Sequence, residues 1–302
     1  MLVEENFDVK KLTSFKTGGC VKKVFFPENI DEFIECLKEN PDAFIYGNLT
    51  NTIVSSDGFD GKLILTTKMA DFYIDGCIVT AECGVSGAKL SQVVCEAGLS
   101  GLEFMAAFPG SAGGEVFMNA GAHGQAVSDT FVKGKFFDTA KGEVVILNKD
   151  EMDFSYRTSI CQKRNLAVLN AVFELTPADT DQIKAKMREN IEFRHIHQPS
   201  LAMPNCGSVF KNPVGISAGQ LLDASDAKNF REGNAKVWKN HANFIINESG
   251  NSTDILELML KMRNAVFEKS GVVLEPEVRY LGNKNKREED ICTILYQNFK
   301  KM

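Results

Sequence analysis

Apolar residues along the chain recur with two periods. Ile30, Phe33, Ile34 and Leu37 fall three and four apart behind early acidic residues, which predicts a helix. The spacing returns at Leu90, Val93, Val94 and Ala97, with Ser86 placed to cap and Gly98 to stop. Ile183, Met187 and Ile191 predict a helix over 180–198, closed by Pro199 and Pro204. Leu221 and Leu222 mark a short inward helix. Ile255, Met259, Met262 and Val266 mark a longer one, capped by Ser252 or Thr253 and ended at Gly271. Short apolar runs between turn residues predict strands at 21–26, 43–46, 52–55, 62–67, 166–175, 236–238, 243–246 and 272–281. Asp75-Gly76 joins 72–74 to 77–81 in a hairpin, and 140–142 joins 131–139 to 143–147. Helices separated by antiparallel hairpins argue for an α+β fold rather than a doubly wound parallel sheet.

Residues 101–124, GLEFMAAFPGSAGGEVFMNAGAHG, fit neither period. They are rich in Gly and Ala, nearly free of charge, and too apolar for a solvated loop. Gly110, Gly113, Gly114, Gly121 and Gly124 let backbone N–H groups approach a ligand, and Pro109 marks a sharp turn. Asn119 is polar inside an apolar run. A buried loop must pair its backbone polar groups with something. A phosphate-bearing cofactor would do that; so would a tight turn packed between two layers. Gly47-Asn48-Leu49-Thr50-Asn51 is a second small-residue turn, suited to a pyrophosphate or to an ordinary reversal. Neither G-x-G-x-x-G nor a Walker A motif occurs, so any dinucleotide is held by another device.

Composition narrows the class. A chain of 302 residues allows two or three domains at roughly 100–200 residues each. With a net charge of -6 a nucleic-acid surface is not implied, and a local basic site for an anionic substrate stays open. The eight cysteines form no C-x-x-C pair, which disfavours a zinc ribbon. Apolar neighbours at Cys95 and Cys161 suggest buried free thiols in a reducing compartment. The acidic N-terminus lacks a signal pattern, and no run approaches the roughly 18 apolar residues of a membrane span. The expectation is a cytoplasmic protein.

Several side chains are candidates for chemistry. Arg157 suits a carboxylate, although arginines are most often simply at the surface. Ser208 has His195 and His197 upstream but no G-x-S-x-G elbow, leaving a nucleophile or a proton donor open. Glu275, Glu277 and Arg279 alternate with Leu274, Pro276 and Val278, so the charged residues share one face, either solvated or lining a cleft. Arg194, Lys211 and Asn212 can offer positive charge and an amide to a phosphate. Nothing near Cys206 argues for a depressed thiol pKa.

Seven motifs carry a resemblance: TSFKTGG, GNLTN, the 101–124 stretch, FSYRTS, QPS with NCGSVFKNP, HANFIIN and LEPEVRYLG. Their order resembles the UDP-N-acetylenolpyruvoylglucosamine reductase family across residues 12–282, in the form lacking an extra substrate-covering tyrosine loop. The resemblance implies a vanillyl-alcohol-oxidase (PCMH)-type FAD-binding domain over 1–178. That domain would comprise two α+β subdomains, 1–70 and 71–178. A separate α+β substrate-binding domain over 179–282 and a helical tail over 283–302 would follow. It implies non-covalent FAD held by Gly47, Asn48, Leu49, Thr50 and Asn51 and by Pro109, Gly110, Ser111, Gly113 and Gly114, with Asn119, Ala120, Gly121 and Ala122 close by. It makes Ser208 the proton donor and sets Arg157 and Glu277 on the enolpyruvyl carboxylate, with Arg194, Gln198 and Asn212 as substrate contacts. The implied reaction is NADPH-dependent reduction of UDP-N-acetylglucosamine enolpyruvate to UDP-N-acetylmuramate in peptidoglycan precursor synthesis. The implied enzyme is a monomer without nucleic-acid or membrane partners. A flavin oxidase of an alcohol or sugar, and a non-catalytic flavin-binding protein, are the competing readings. Leu49 departs from the usual small residue of the first turn, Thr50 from a Ser, and His123 from a Tyr.

Overall fold

The computed structural model describes residues 1–248 and 250–297. The chain forms two compact units. The first holds Met1–Glu4, Val24–Asn48 and Lys62–Arg194; the second holds Glu5–Lys23, Leu49–Gly61 and the chain from His195 onward. The units interleave along the sequence because Thr52–Val54 pairs in parallel with Arg279–Leu281, far along the chain.

The first unit is built on a five-stranded antiparallel sheet. Its order is Glu143–Asn148, Phe131–Asp138, Leu166–Glu174, Ile78–Glu82, Phe72–Asp75. Both predicted hairpins are present in it. Leu166–Glu174 is central and buried along nearly its whole length, which is why its sequence is a continuous apolar run. Phe131 and Phe173 pair across the ladder, and with Phe136, Phe137 and Leu169 they fill the core. Helix α1, Ile30–Glu39, is capped by Asn29 and buries Phe33, Cys36 and Leu37. Phe44–Tyr46 runs parallel to Leu63–Leu65 of the strand Phe59–Leu65. Helix α2, Gly87–Glu96, has the Ser86 cap and buries Leu90, Val94 and Cys95. Ala97, expected inward, is the exposed C-cap residue of α2. The 101–124 stretch is not all loop: it contains a 3-10 turn, Glu103–Ala107, and helix α3, Ala112–Met118. Helix α4, Val127–Thr130, is a single turn, and α5, Thr180–His197, follows the sheet.

The second unit packs α6, Ala218–Ala224, and α7, Ser252–Ser270, beside a three-stranded sheet of Arg231–Glu232, Ala235–Val237 and Ile245–Asn247. Ile255, Met259, Met262 and Val266 are buried on α7, as their spacing predicts. The strand expected over 272–281 is regular only at Arg279–Leu281. Pro276 has no N–H for a ladder, and the segment before it is tied instead by a bridge from Phe210 to Pro276.

Helix α8, Lys286–Tyr296, supplies the expected helical tail; residues 298–302 of that expectation lie outside the described residues. The helix carries a fully buried carboxylate. Glu288 accepts hydrogen bonds from Ser252 Oγ, Thr253 Oγ1 (2.8 Å) and Tyr280 OH (2.8 Å), so every donor around it has a partner. Glu288→Ala would leave those donors buried without their acceptor. The expected loss is about 3 kcal/mol of unfolding free energy, measured by denaturant titration. A loss below about 0.5 kcal/mol would show that the network is not what docks α8.

Candidate functional site

In the first unit two glycine-bearing turns are tied together. Asn48 Nδ2 donates to the carbonyl oxygens of Pro109 (3.0 Å) and Gly110 (3.3 Å). A Cβ on Gly47 would run into Ser111 Oγ, so the chain there closes to this distance only because residue 47 is glycine. Ser111 caps α3, its Oγ accepting from Gly114 N at 3.4 Å. The glycines do different work. Gly113 lies against Cys83 and its N–H donates to the Cys83 carbonyl, so its small size serves packing. The Cβ side of Gly114 meets nothing nearer than Ser111 Oγ. Gly47, Asn48, Pro109, Gly110, Ser111 and Gly114 thus form a closely approached, uncharged backbone turn that can take a phosphate.

Beneath that turn lies a group the sequence reading passes over. Glu115, on α3, is 2% exposed, and neither carboxyl oxygen has a hydrogen-bond partner. A Cβ on either Gly87 or Gly110 would strike its carboxyl. Burial alone pushes its pKa up from 4.5 to about 8, so the group is a neutral acid at pH 7. The available sequence signal is weak: Glu115 is one of two carboxylates, with Glu103, in the stretch 101–124.

Asn119 ends α3 in the left-handed region (φ 43°). Its side chain is fully engaged: Nδ2 donates to Ser155 O (3.0 Å) and Oδ1 accepts from Ser128 N (3.0 Å). Gly121 and Ala122 pair with Ala126 and Gln125, and the Ala120 carbonyl accepts from Val127 N, so this segment braces the fold. Through Ser155, Asn119 also braces the turn that presents Arg157. Ser155 and Thr158 exchange backbone bonds of 3.1 Å, and Gln162 Nε2 donates to Arg157 O (3.0 Å). Arg157 itself is half-buried, has φ 56°, and lays its guanidinium over the Tyr156 ring. A non-glycine residue held at positive φ marks a turn fixed by its surroundings. Arg194 donates Nη1 to Ala107 O at 2.7 Å. His123 is set edge-on to Phe193, and burial lowers its pKa, leaving the ring neutral.

The second unit brings Ser208 and Glu277 together. Glu277 N donates to Val209 O (2.9 Å), and Lys211 N to Glu275 O (2.9 Å), so residues 208–211 run beside 275–277. Asn243 holds the first of these segments: its Oδ1 accepts from Phe210 N and its Nδ2 donates to Phe210 O. The other is held by Asn51, whose Nδ2 donates to Glu277 O (3.1 Å) and whose carbonyl accepts from Arg279 N (3.0 Å). Asn51 therefore points its amide at the protein. Glu275, Glu277 and Arg279 are half-buried while Leu274, Pro276 and Val278 are buried, so the expected alternation of faces is present. Lys211 is neutralised by Glu275 at 2.6 Å, which weakens it as a phosphate ligand. Asn212 Oδ1 accepts from Ala218 N at the start of α6. Gln198 is half-buried just past α5, and Thr50 is half-buried beside Leu49. Leu49 has φ 51° and is 3% exposed: a buried leucine in a conformation that favours glycine. Burial, with Glu277 nearby, raises the Cys206 thiol pKa well above its ordinary value, so no thiolate nucleophile is available there. All eight cysteines are free; Cys20 is exposed, while Cys36, Cys83, Cys95 and Cys161 are buried.

Residues 21–148 match the family described as FAD binding domain, and residues 198–281 match UDP-N-acetylenolpyruvoylglucosamine reductase, C-terminal domain. The UDP-N-acetylenolpyruvoylglucosamine reductase of Caldicellulosiruptor saccharolyticus is 38% identical over 91% of this chain and 90% of its own length. The chain belongs to the UDP-N-acetylenolpyruvoylglucosamine reductase family. The Lactococcus lactis subsp. cremoris (strain MG1363) relative of that name is 39% identical over 94% of this chain and 96% of its own. The crystal structure of the Thermus caldophilus reductase matches with a TM-score of 0.80 at 29% identity, covering 93% of this chain and 99% of that one. FAD, the cofactor of this family, fits what the first unit offers: a turn whose approach a Cβ would block, with no acidic side chain ionised at pH 7 beneath it.

Two outcomes are expected. Gly47→Ala should weaken FAD binding at least tenfold, read by flavin fluorescence titration, because the methyl group must displace Ser111; unchanged affinity would mean that the turn does not carry the cofactor. Glu115→Gln should remove a stability gradient. The folded-state pKa lies above the unfolded one, so the stabilisation from keeping Glu115 neutral is complete below pH 4.5 and falls by about 1.4 kcal/mol per pH unit up to about 8. The difference in unfolding free energy between variant and wild-type apoprotein should grow over that window. A flat difference would place the carboxyl in water.

Proposed function

We propose that this chain reduces UDP-N-acetylglucosamine enolpyruvate to UDP-N-acetylmuramate with electrons from NADPH, completing a peptidoglycan precursor. The observation that carries this reading is family membership over more than nine-tenths of both chains, with Arg157, Ser208 and Glu277 standing in the motifs that carry the resemblance. When bound, FAD supplies the hydride-transfer chemistry between NADPH and the enol ether. Residues 1–178, in two parts meeting near residue 70, would serve FAD; residues 179–282 would serve the substrate, with 283–302 as a helical appendage. The separate matches at 21–148 and 198–281 support that division of labour.

Each side chain has a role suited to its setting. Arg157, on its rigid turn, pairs with the enolpyruvyl carboxylate and offsets negative charge developing at the carbon beside it. Ser208 donates the proton to that carbon. Glu277, whose main chain is bonded on both sides, holds the carboxylate region of the substrate. Leu49, Thr50 and Asn51 extend the first phosphate turn by backbone, and Asn119, Ala120, Gly121 and Ala122 line the cofactor's flank by backbone. Arg194, Gln198 and Asn212 contact the nucleotide-sugar. The protein acts as a cytoplasmic monomer without nucleic-acid or membrane partners; no helix among the described residues is long and apolar enough to cross a membrane.

Anaerobic stopped-flow absorbance tests the roles. In Ser208→Ala, flavin reduction by NADPH should stay within about twofold of wild type, while reoxidation by the enolpyruvyl substrate should slow by roughly 10²–10⁴. Equal loss in both half-reactions, or no loss in either, would remove Ser208 from proton transfer.

A further inference from the structure

The unpartnered acid at Glu115 has no part in the reaction above, yet it occupies the floor of the phosphate turn. Its carboxyl lies against Gly87 and Gly110, where a Cβ on either would strike it. The surrounding backbone donors are used elsewhere: Gly87 N donates to Gly110 O, Ala112 N to Val85 O and Gly113 N to Cys83 O. Charged groups on the packed elements also face other partners. Lys89 of α2 lies over the Phe72 ring, Glu96 accepts from Gln92, and Glu82 accepts from Asp71 N. Glu103 accepts from Ser100 Oγ and Gly101 N. Nothing therefore compensates an ionised Glu115.

We propose that Glu115 is the proton-dependent floor of the flavin-phosphate turn: neutral, it leaves Gly110 and Ser111 open to the cofactor's pyrophosphate, and ionised, it repels that pyrophosphate and releases FAD. This rests on the reading of 109–114 as the phosphate turn. A carboxylate under Gly110 would add negative charge to the same small, water-poor volume as the phosphates, where screening by salt is weak. Bound FAD must in turn raise the Glu115 pKa further. Linkage then fixes the direction: affinity is highest and flat while Glu115 stays protonated in free protein, and falls with rising pH until the bound form also loses its proton.

The test is a flavin fluorescence titration of apoprotein with FAD between pH 6.5 and 9.5. In wild type the dissociation constant should be constant below about 8, the region set by burial of the carboxyl, and then rise by up to tenfold per pH unit. Glu115→Gln keeps the shape without the ionisable proton, and should hold the wild-type low-pH affinity across the whole range. Glu115→Ala, which cannot ionise either, should likewise be flat if Glu115→Gln fails to fold. Parallel rises in wild type and variants would overturn the proposal, as would a flat wild-type profile. Gly47→Ala, whose methyl group would meet Ser111 and not Glu115, separates this from failure of the site itself: if that variant binds FAD as tightly as wild type, the phosphate turn lies elsewhere, whereas if it loses affinity the turn stands whatever Glu115 does.

Discussion

The pair of hydrogen bonds from Asn48 Nδ2 to the carbonyls of Pro109 and Gly110 is the constraint on which the proposed FAD turn depends. Residues 48 and 110 are remote in sequence, and each turn alone is unremarkable chemically. Joined, with Gly47 pressed against Ser111, they form one closely packed backbone turn at the start of α3. The five-stranded sheet carries the far side of this arrangement: Cys83 leaves the end of Ile78–Glu82 and takes the Gly113 N–H, fixing α3 to the sheet. From the other end of α3, Asn119 fixes the turn of Arg157. A single seven-residue helix therefore sets both the proposed phosphate turn and the turn of Arg157.

The second unit solves a related problem without a regular sheet. Pro276 prevents a long strand, yet residues 208–211 lie beside 275–277. Backbone bonds from Glu277 to Val209 and from Lys211 to Glu275 hold them there, with the amides of Asn51 and Asn243 closing the flanks. Asparagine suits such work because one side chain can both accept and donate to main chain. The buried glutamates make an instructive contrast. Glu288 is surrounded by donors and behaves as a structural anchor, whereas Glu115 has none and is stable only as a neutral acid.

Much of this was legible in the sequence, and the exceptions have physical causes. The long helices and both hairpins follow from apolar spacing and turn dipeptides, since burial of one face imposes the period. Helix α3 escapes that logic because glycines at 113 and 114 erase the apolar signal while Ser111 supplies the cap. The 272–278 segment reads as strand from its alternation, and the alternation of burial is real, but Pro276 denies it a ladder. Family motifs mark Asn51 and Asn119, and its charge marks Lys211, as ligand-facing types; the structure shows their side chains engaged by Glu277, Ser155 and Glu275. Leu49 departs from the family's small residue, and it is buried at positive φ. Glu115 was silent because burial without a partner is a tertiary property.

The most direct test of the account is the FAD dissociation constant of Asn48→Ala, measured by flavin fluorescence at pH 7, beside the circular dichroism of the apoprotein. The account predicts that the variant retains the wild-type spectrum and loses at least tenfold in affinity, since two hydrogen bonds that hold the turns together are removed. Wild-type affinity in a folded Asn48→Ala protein would contradict it.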